Sequence, residues 1–229
     1  MNQPARIQRT LQKGDRVAYT INRTISTGHH STRATQVRRT GIVQGWRDGK
    51  VVVLHKAGYN VDIIGAATGE RPLCCGRTFL ATGMVDEAKK EARRTLDALK
   101  PYVTRGVPVI GLEPSCLLTL RDEFQSMLPG EDTDRLAAGA FLFEEFLVRE
   151  KNAGRFDPAR LELKPIDRTD ALLHGHCHQK AFGVMTAVEE VLSWVPALKT
   201  STVESSCCGM AGAFGYEAGH FDVSMAMGN

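Results

Sequence analysis

The sequence predicts an α/β protein, and three observations lead there. From about residue 50, short apolar or β-branched runs alternate with stretches whose apolar residues recur at helical spacing. One of these runs, residues 107–112 (VPVIGL), is continuously apolar, as strands buried on both faces of a parallel sheet are. Finally, a cysteine pattern occurs twice. Cys74-Cys75-Gly76 is followed by a helix, a strand and the single Cys116; a strand and the single Cys177 are followed by a helix, a strand and Cys207-Cys208-Gly209. This imperfect repetition predicts two duplicated, Rossmann-like lobes, repeat one at about 50–132 and repeat two at about 170–229. Their cysteine loops fall at strand ends, where open α/β sheets place their sites.

Taken in order, residues 1–49 form a basic segment, β-rich and short or without order. Within it and just beyond, 39–54 (RTGIVQGWRDGKVVVL) reads as a β-hairpin turning at Asp48-Gly49. Residues 51–54 and 61–64 are strand-like, and either could enter the main sheet. The first doublet leads into a short helix. Met84, Ala88, Ala92, Leu96 and Leu99 then share one helical face, with Lys89, Lys90, Glu91, Arg93 and Arg94 elsewhere, which predicts a helix over 84–100 ended by Pro101. After the strand at 107–112, Glu113-Pro114-Ser115-Cys116 opens a helix carrying Leu117, Leu120 and Phe124, with Pro114 in its first turn. A longer helix is expected over 133–151, capped by Thr133 or Asp132, with Leu136, Ala140, Phe143 and Leu147 inward. Its aromatic residues at 141–146 read as core. A polar connector spans 151–170, strands are expected at 171–173 and 200–203, and a helix over 180–194 packs Phe182, Met185, Val188 and Leu192. The chain stops at Asn229 in what reads as mid-helix, so a fragment is expected.

Composition narrows the class. At 42% hydrophobic and 24% charged residues the chain is an ordinary globular one. It has no apolar run long enough for a membrane span and no signal-peptide core, so the cytoplasm is the expected compartment. The net charge of +3 is unevenly spread: residues 1–50 hold ten Lys/Arg against Asp15 and Asp48, and the rest carries an acidic excess. A basic patch alone is a weak nucleic-acid footprint, and without an aromatic stacking surface no nucleic-acid partner is expected.

Six cysteines without an export signal favour the reduced, metal-binding or redox reading over disulfides, since adjacent cysteines bridge only with strain. Cys177, Cys207 and Cys208 lie beside His174, His176 and His178, a donor set suited to soft metals. The three histidines alternate as in a strand. Three chemistries remain open from the residues: a thiolate cluster site, a zinc site using Cys177, Cys207 or Cys208 with a neighbouring His, and a thiol hydrolase in which Cys116 is the nucleophile and His178 the base. The last leaves both doublets without a role. A single Cys such as Cys116 is also, on its own, a small hydrophobe. Arg77 and Lys180 could offset thiolate charge or bind a carboxylate, and Glu113 and Glu204 could cap helix amides.

The wording of Leu73-Cys-Cys-Gly76, Glu113-Pro-Ser-Cys116, His176-Cys177-His178-Gln179 and Cys207-Cys208-Gly209-Met-Ala-Gly212 resembles the cysteine-rich CCG-domain family. That family includes the iron-sulfur subunit of glycolate oxidase, the cysteine-rich subunits of anaerobic glycerol-3-phosphate dehydrogenase and heterodisulfide reductase, and the C-terminal module of FAD-linked D-lactate-type dehydrogenases. The resemblance covers about 50–229. It implies an iron-sulfur electron-transfer module of a flavin-linked oxidoreductase acting on a 2-hydroxy acid such as glycolate or D-lactate. It further implies Cys74, Cys75 and Cys116 as ligands in the first repeat and Cys177, Cys207 and Cys208 in the second, with His176 and His178 as additional candidates. The cofactor would be a 4Fe-4S cluster, including the non-cubane kind. FAD would sit on a flavoprotein subunit or a fused domain, the acceptor would be one such as quinone, and any membrane association would be peripheral, through partners. The sequence departs from the family pattern in having no Cys before Cys74 and none after Cys208.

Overall fold

The computed structural model describes residues 16–20, 54, 57–66, 71–167, 169–205, 207–211 and 214–228. Within these, a four-stranded parallel sheet is built from β1 (Arg16–Thr20), β2 (Asn60–Ile64), β3 (Val109–Gly111) and β4 (Ala140–Leu142), in the order β2-β1-β3-β4. β1 lies in register with β2 from Arg16 opposite Asn60 to Thr20 opposite Ile64, and meets β3 at Ala18 opposite Val109. Five residues of the basic segment therefore sit inside the sheet. The expected hairpin at 39–54 lies outside the described residues except for Leu54, which is helical.

β3 shows why the sheet needs cover on both faces. Successive side chains of a strand point to opposite sides. Val109 joins one core, with Leu96, Leu99, Leu118, Phe124, Leu136, Ala140 and Leu142. Ile110 joins the other, with Leu54, Tyr59, Phe143, Phe146, Leu147 and Phe156. The helices of the first face are α1 (Arg77–Ala81), α2 (Val85–Val103), α3 (Pro114–Arg121), α4 (Glu123–Met127) and α5 (Glu131–Gly139); α6 (Phe143–Asn152) covers the second. A separate two-stranded parallel sheet pairs β5 (Asp170–Leu173) with β6 (Lys199–Thr202), in register from Asp170 opposite Lys199. It is joined through α7 (Cys177–Ala181) and α8 (Met185–Ser193), and α9 (Phe221–Gly228) closes the chain.

Several expectations are corrected. α2 runs through Pro101 to Val103 instead of ending there. Proline at that point costs only one hydrogen bond in the last turn, while Tyr102 and Val103 gain burial in the core. The helix expected over 133–151 is two helices with β4 between them, because Ala140 and Leu142 pair alongside β3 and the strand enters at Gly139. Its predicted inward residues Leu136, Ala140, Phe143 and Leu147 are all buried, yet they divide between the two cores. Thr133 does not cap α5; Gly130 holds that position, and the Thr133 hydroxyl donates to the Leu128 carbonyl at 2.6 Å. The helix expected over 180–194 is broken at Gly183, whose φ is 66°, into α7 and α8.

One buried charge ties the second core together. Glu150 is fully buried on α6 and accepts from Tyr59 Oη at 2.9 Å and from Arg155 Nε and Nη2 at 2.7 Å each. Burial and this carboxylate push the Tyr59 hydroxyl's pKa up. Glu150→Ala is expected to lower the unfolding free energy by about 3 kcal/mol, at the low end for a broken buried pair because Arg155 is 37% exposed and can turn to water. Tyr59→Phe should cost about 1–2 kcal/mol. Chemical denaturation of the three proteins checks both.

Candidate thiol sites

The first doublet stands in the turn between β2 and α1. Its path is set from α2: the Thr95 hydroxyl donates to the Cys74 carbonyl at 2.7 Å, and Arg94 Nη2 donates to the Arg71 carbonyl at 2.8 Å. Behind them lies Glu91, 1% exposed, accepting from Arg94 Nη1 at 2.7 Å and paired with Arg71. The helical pattern sets Glu91 apart from the apolar face; it is buried because its two arginine partners come to it. Cys75 is buried and hydrogen-bonded to the sulfurs of Cys116 and Cys74. Cys116 reaches it from the first turn of α3, whose end is capped by Glu113, the carboxylate accepting from the amides of Ser115 and Cys116. Three of the predicted residues, Cys74, Cys75 and Cys116, are thus brought together.

These thiols differ in acidity. The hydrogen bond from Cys75, the Gly76 amide and the guanidinium groups of Arg71 and Arg94 hold the Cys74 thiol at about 6, against an opposing effect of burial. The Cys75 thiol is pushed up by its contacts to Cys116 and Cys74 and by burial.

The second set is built on β5, β6 and α7. Cys177 is the first residue of α7, and His176 caps that helix, its Nδ1 accepting from the His178 amide at 3.2 Å while Gln179 Oε1 accepts from the His176 amide at 3.1 Å. The alternating strand expected for the three histidines ends at Leu173; the glycine at 175 turns the chain into the helix instead. Cys207 and Cys208 follow β6. Lys180 Nζ donates to the carbonyl and hydroxyl of Ser205 at 2.6 and 2.8 Å, and His174 Nδ1 lies 3.2 Å from that hydroxyl, so α7 is tied to the segment entering the second doublet. Glu204 caps no helix among the described residues, and Lys180 is spent on this tether.

The two doublets have the same turn. The Gly76 amide lies 3.4 Å from Cys74 Sγ and the Gly209 amide 3.3 Å from Cys207 Sγ. Both glycines are left-handed, with φ of 80° and 77°. A Cβ on Gly76 would meet the Ala88 carbonyl oxygen at 2.6 Å, and one on Gly209 the Ser224 carbonyl oxygen at 2.1 Å. Each doublet is therefore pressed against the backbone of a helix that comes later in the chain.

The sets approach each other where α3 packs on α7. Ser115 Oγ lies 3.3 Å from His176 Nε2, Arg77 is paired with Glu123, and the His176 and His178 rings are 5.2 Å apart. Burial first, then nearby Arg77, hold both histidines below their usual pKa, so at neutral pH each carries a lone pair. His178 Nδ1 is buried without a hydrogen-bond partner among the described residues. Among those residues no three His, Cys, Asp or Glu side chains stand as a ready-made site for one metal ion. The chemistry of the cysteines fits an iron-sulfur group, since adjacent soft thiolates can serve different irons and backbone amides aimed at sulfur favour the anionic form.

Residues 53–121 match the model of the CCG family, described as a cysteine-rich domain. One of the subunits of anaerobic glycerol-3-phosphate dehydrogenase from Escherichia coli (strain K12) is 29% identical over 179 residues, 78% of this chain and 42% of that protein. D-2-hydroxyglutarate dehydrogenase of the same organism is 27% identical over 161 residues, 66% of this chain and 14% of that one. One of the subunits of fumarate reductase (CoM/CoB) from Methanothermobacter marburgensis is 25% identical over 179 residues, 77% of this chain and 31% of that protein. The chain thus spans less than half the length of these relatives, and no solved structure matches it. No helix among the described residues is long and apolar enough to cross a membrane.

Two outcomes follow. Gly83 also has positive φ, at 77°, but open space at its Cβ, so Gly83→Ala should cost about 1 kcal/mol while Gly76→Ala costs at least about 2 kcal/mol more through backbone overlap; denaturation midpoints compare them. In the metal-free protein, iodoacetamide should label Cys74 at a nearly constant rate from pH 8 down to about 6 and slow only below that, because the thiolate persists above the lowered pKa. An unperturbed thiol would slow about tenfold per unit through that range, and peptide mass spectrometry at a series of pH values separates the two.

Proposed function

We propose that this chain is the iron-sulfur electron-transfer module of a flavin-linked oxidoreductase. The observation that carries the reading is the pair of matched Cys-Cys-Gly turns, each with its glycine amide directed at the first sulfur, the first of them joined by Cys116 from a helix start. A structural role for buried cysteines would require neither adjacency nor the amide contact. The names of the relatives, two dehydrogenases and a fumarate reductase, agree with redox work.

In this reading the chain is two duplicated lobes. Cys74, Cys75 and Cys116 hold one cluster, and Cys177, Cys207 and Cys208 hold another, of the 4Fe-4S type including its non-cubane form. His176 and His178 are neutral nitrogen donors beside the second set, His178 having Nδ1 to spare. When bound, such clusters take up and release single electrons. The residues of the chain supply the rest: Glu113 fixes the start of α3 under Cys116, Lys180 fixes Ser205 ahead of the second doublet, and Arg71 and Arg94 offset thiolate charge. The substrate is a 2-hydroxy acid such as glycolate or D-lactate, oxidised at FAD on a partner subunit or fused domain. Electrons leave to an acceptor such as quinone, the protein acting in the cytoplasm and meeting a membrane only through partners. The hydrolase reading loses support because Cys116 is hydrogen-bonded to Cys75, a neighbour suited to ligation.

Anaerobic reconstitution with iron and sulfide, followed by metal and sulfide analysis and EPR, tests the proposal. Wild type should take up iron and sulfide together. Cys207→Ser/Cys208→Ser should lose one part of the signal and Cys74→Ser/Cys75→Ser the other. A folded protein that binds zinc alone, or neither metal, overturns it.

A further inference from the structure

Glu91 is 1% exposed, yet one of its partners, Arg71, lies on the stretch that leads into the first doublet, and the other, Arg94, three residues along α2, reaches back to the Arg71 carbonyl. Arg71, 61% exposed, reaches in to pair with Oε1, and Arg94 spans from Oε2 to the Arg71 carbonyl. One turn along α2, Thr95 holds the Cys74 carbonyl. Polar contacts from one face of α2 therefore reach both ends of the 71–74 stretch. Burying a carboxylate is costly, and an apolar residue of similar size would pack α2 without that cost. What the carboxylate adds is the fixed course of 71–75.

We propose that Glu91 is the positioning residue of the first cysteine doublet, its carboxylate holding Arg71 and Arg94 so that the turn presents Cys74 and Cys75 in one arrangement. This deepens the iron-sulfur reading and rests on it for its role, though not for its geometry. It has an electrostatic side as well. Arg71 and Arg94 bring positive charge toward the Cys74 thiol, and the Glu91 carboxylate opposes it. Removing the Glu91 charge makes these surroundings more positive and removing that of Arg71 makes them less so, and positive charge favours the reduced, more negative state of a bound cluster.

The test uses the full chain and two variants, Glu91→Gln and Arg71→Gln; the second keeps the Arg94–Glu91 pair and is read even where the first fails to fold. In metal-free protein, hydrogen exchange by mass spectrometry should rise by about tenfold or more at the amides of residues 73–76 in both variants, with residues 109–111 of β3 unchanged. In protein reconstituted with iron and sulfide, redox titration should move the midpoint potential of the first cluster up in Glu91→Gln and down in Arg71→Gln, an opposition that loosened structure alone does not produce. Wild-type exchange rates at 73–76 in the folded variants overturn the proposal. Potentials moving in one direction overturn its electrostatic part. Faster exchange together with no iron uptake by wild type upholds Glu91 as the anchor of the turn and sinks the cluster reading instead.

Discussion

The constraint on which both thiol sites depend is the contact of main chain with main chain at Gly76 and Gly209. A side chain at either position would occupy the space of a carbonyl oxygen from a later helix. Removing the Cβ lets the turn lie against that helix, and the left-handed backbone aims the glycine amide back at sulfur. The doublet is thus mounted on a helix and not on a free loop. For the first doublet that helix is α2, itself packed across the parallel sheet, so its two cysteines inherit the rigidity of the core.

The second doublet leans on a lighter frame. Its helix, α9, has eight residues and buries Ser224, whose hydroxyl returns a hydrogen bond to the Gly209 carbonyl at 2.8 Å. The sheet under it has two strands where the first has four. The same local turn is therefore supported by deep packing in one case and by a few polar tethers, those of Ser224, Lys180 and Ser205, in the other.

Much of this was legible in the sequence. The apolar run at 107–112 gave away a strand buried on both faces, the spacing of Ala88, Ala92, Leu96 and Leu99 a packed helix, and the repeated Cys-Cys-Gly the two matched turns. What escaped was non-local. β1 carries no strong strand signal, and its place in the sheet comes from pairing with β2 and β3. β4 hid within a helical periodicity because residues of a strand alongside β3 satisfy the same apolar spacing. Glu91 read as one more charge on a charged helix; only the return of Arg71 from upstream in the chain makes it an interior residue. The histidines suggested a strand by alternation, whereas the bond from the His178 amide to His176 makes them a helix start.

The exposure of the sulfurs has a consequence for how the protein ages. Cys75 is 5% exposed, while Cys208 lies open to solvent. Peroxide or oxygen arriving from outside meets Cys208 directly, and oxidation beyond the sulfenic stage is not readily undone. The cysteines of the metal-free protein therefore do not share one lifetime in air: Cys208 is vulnerable through its exposure and Cys74 through its thiolate character, while the buried Cys75 outlasts both.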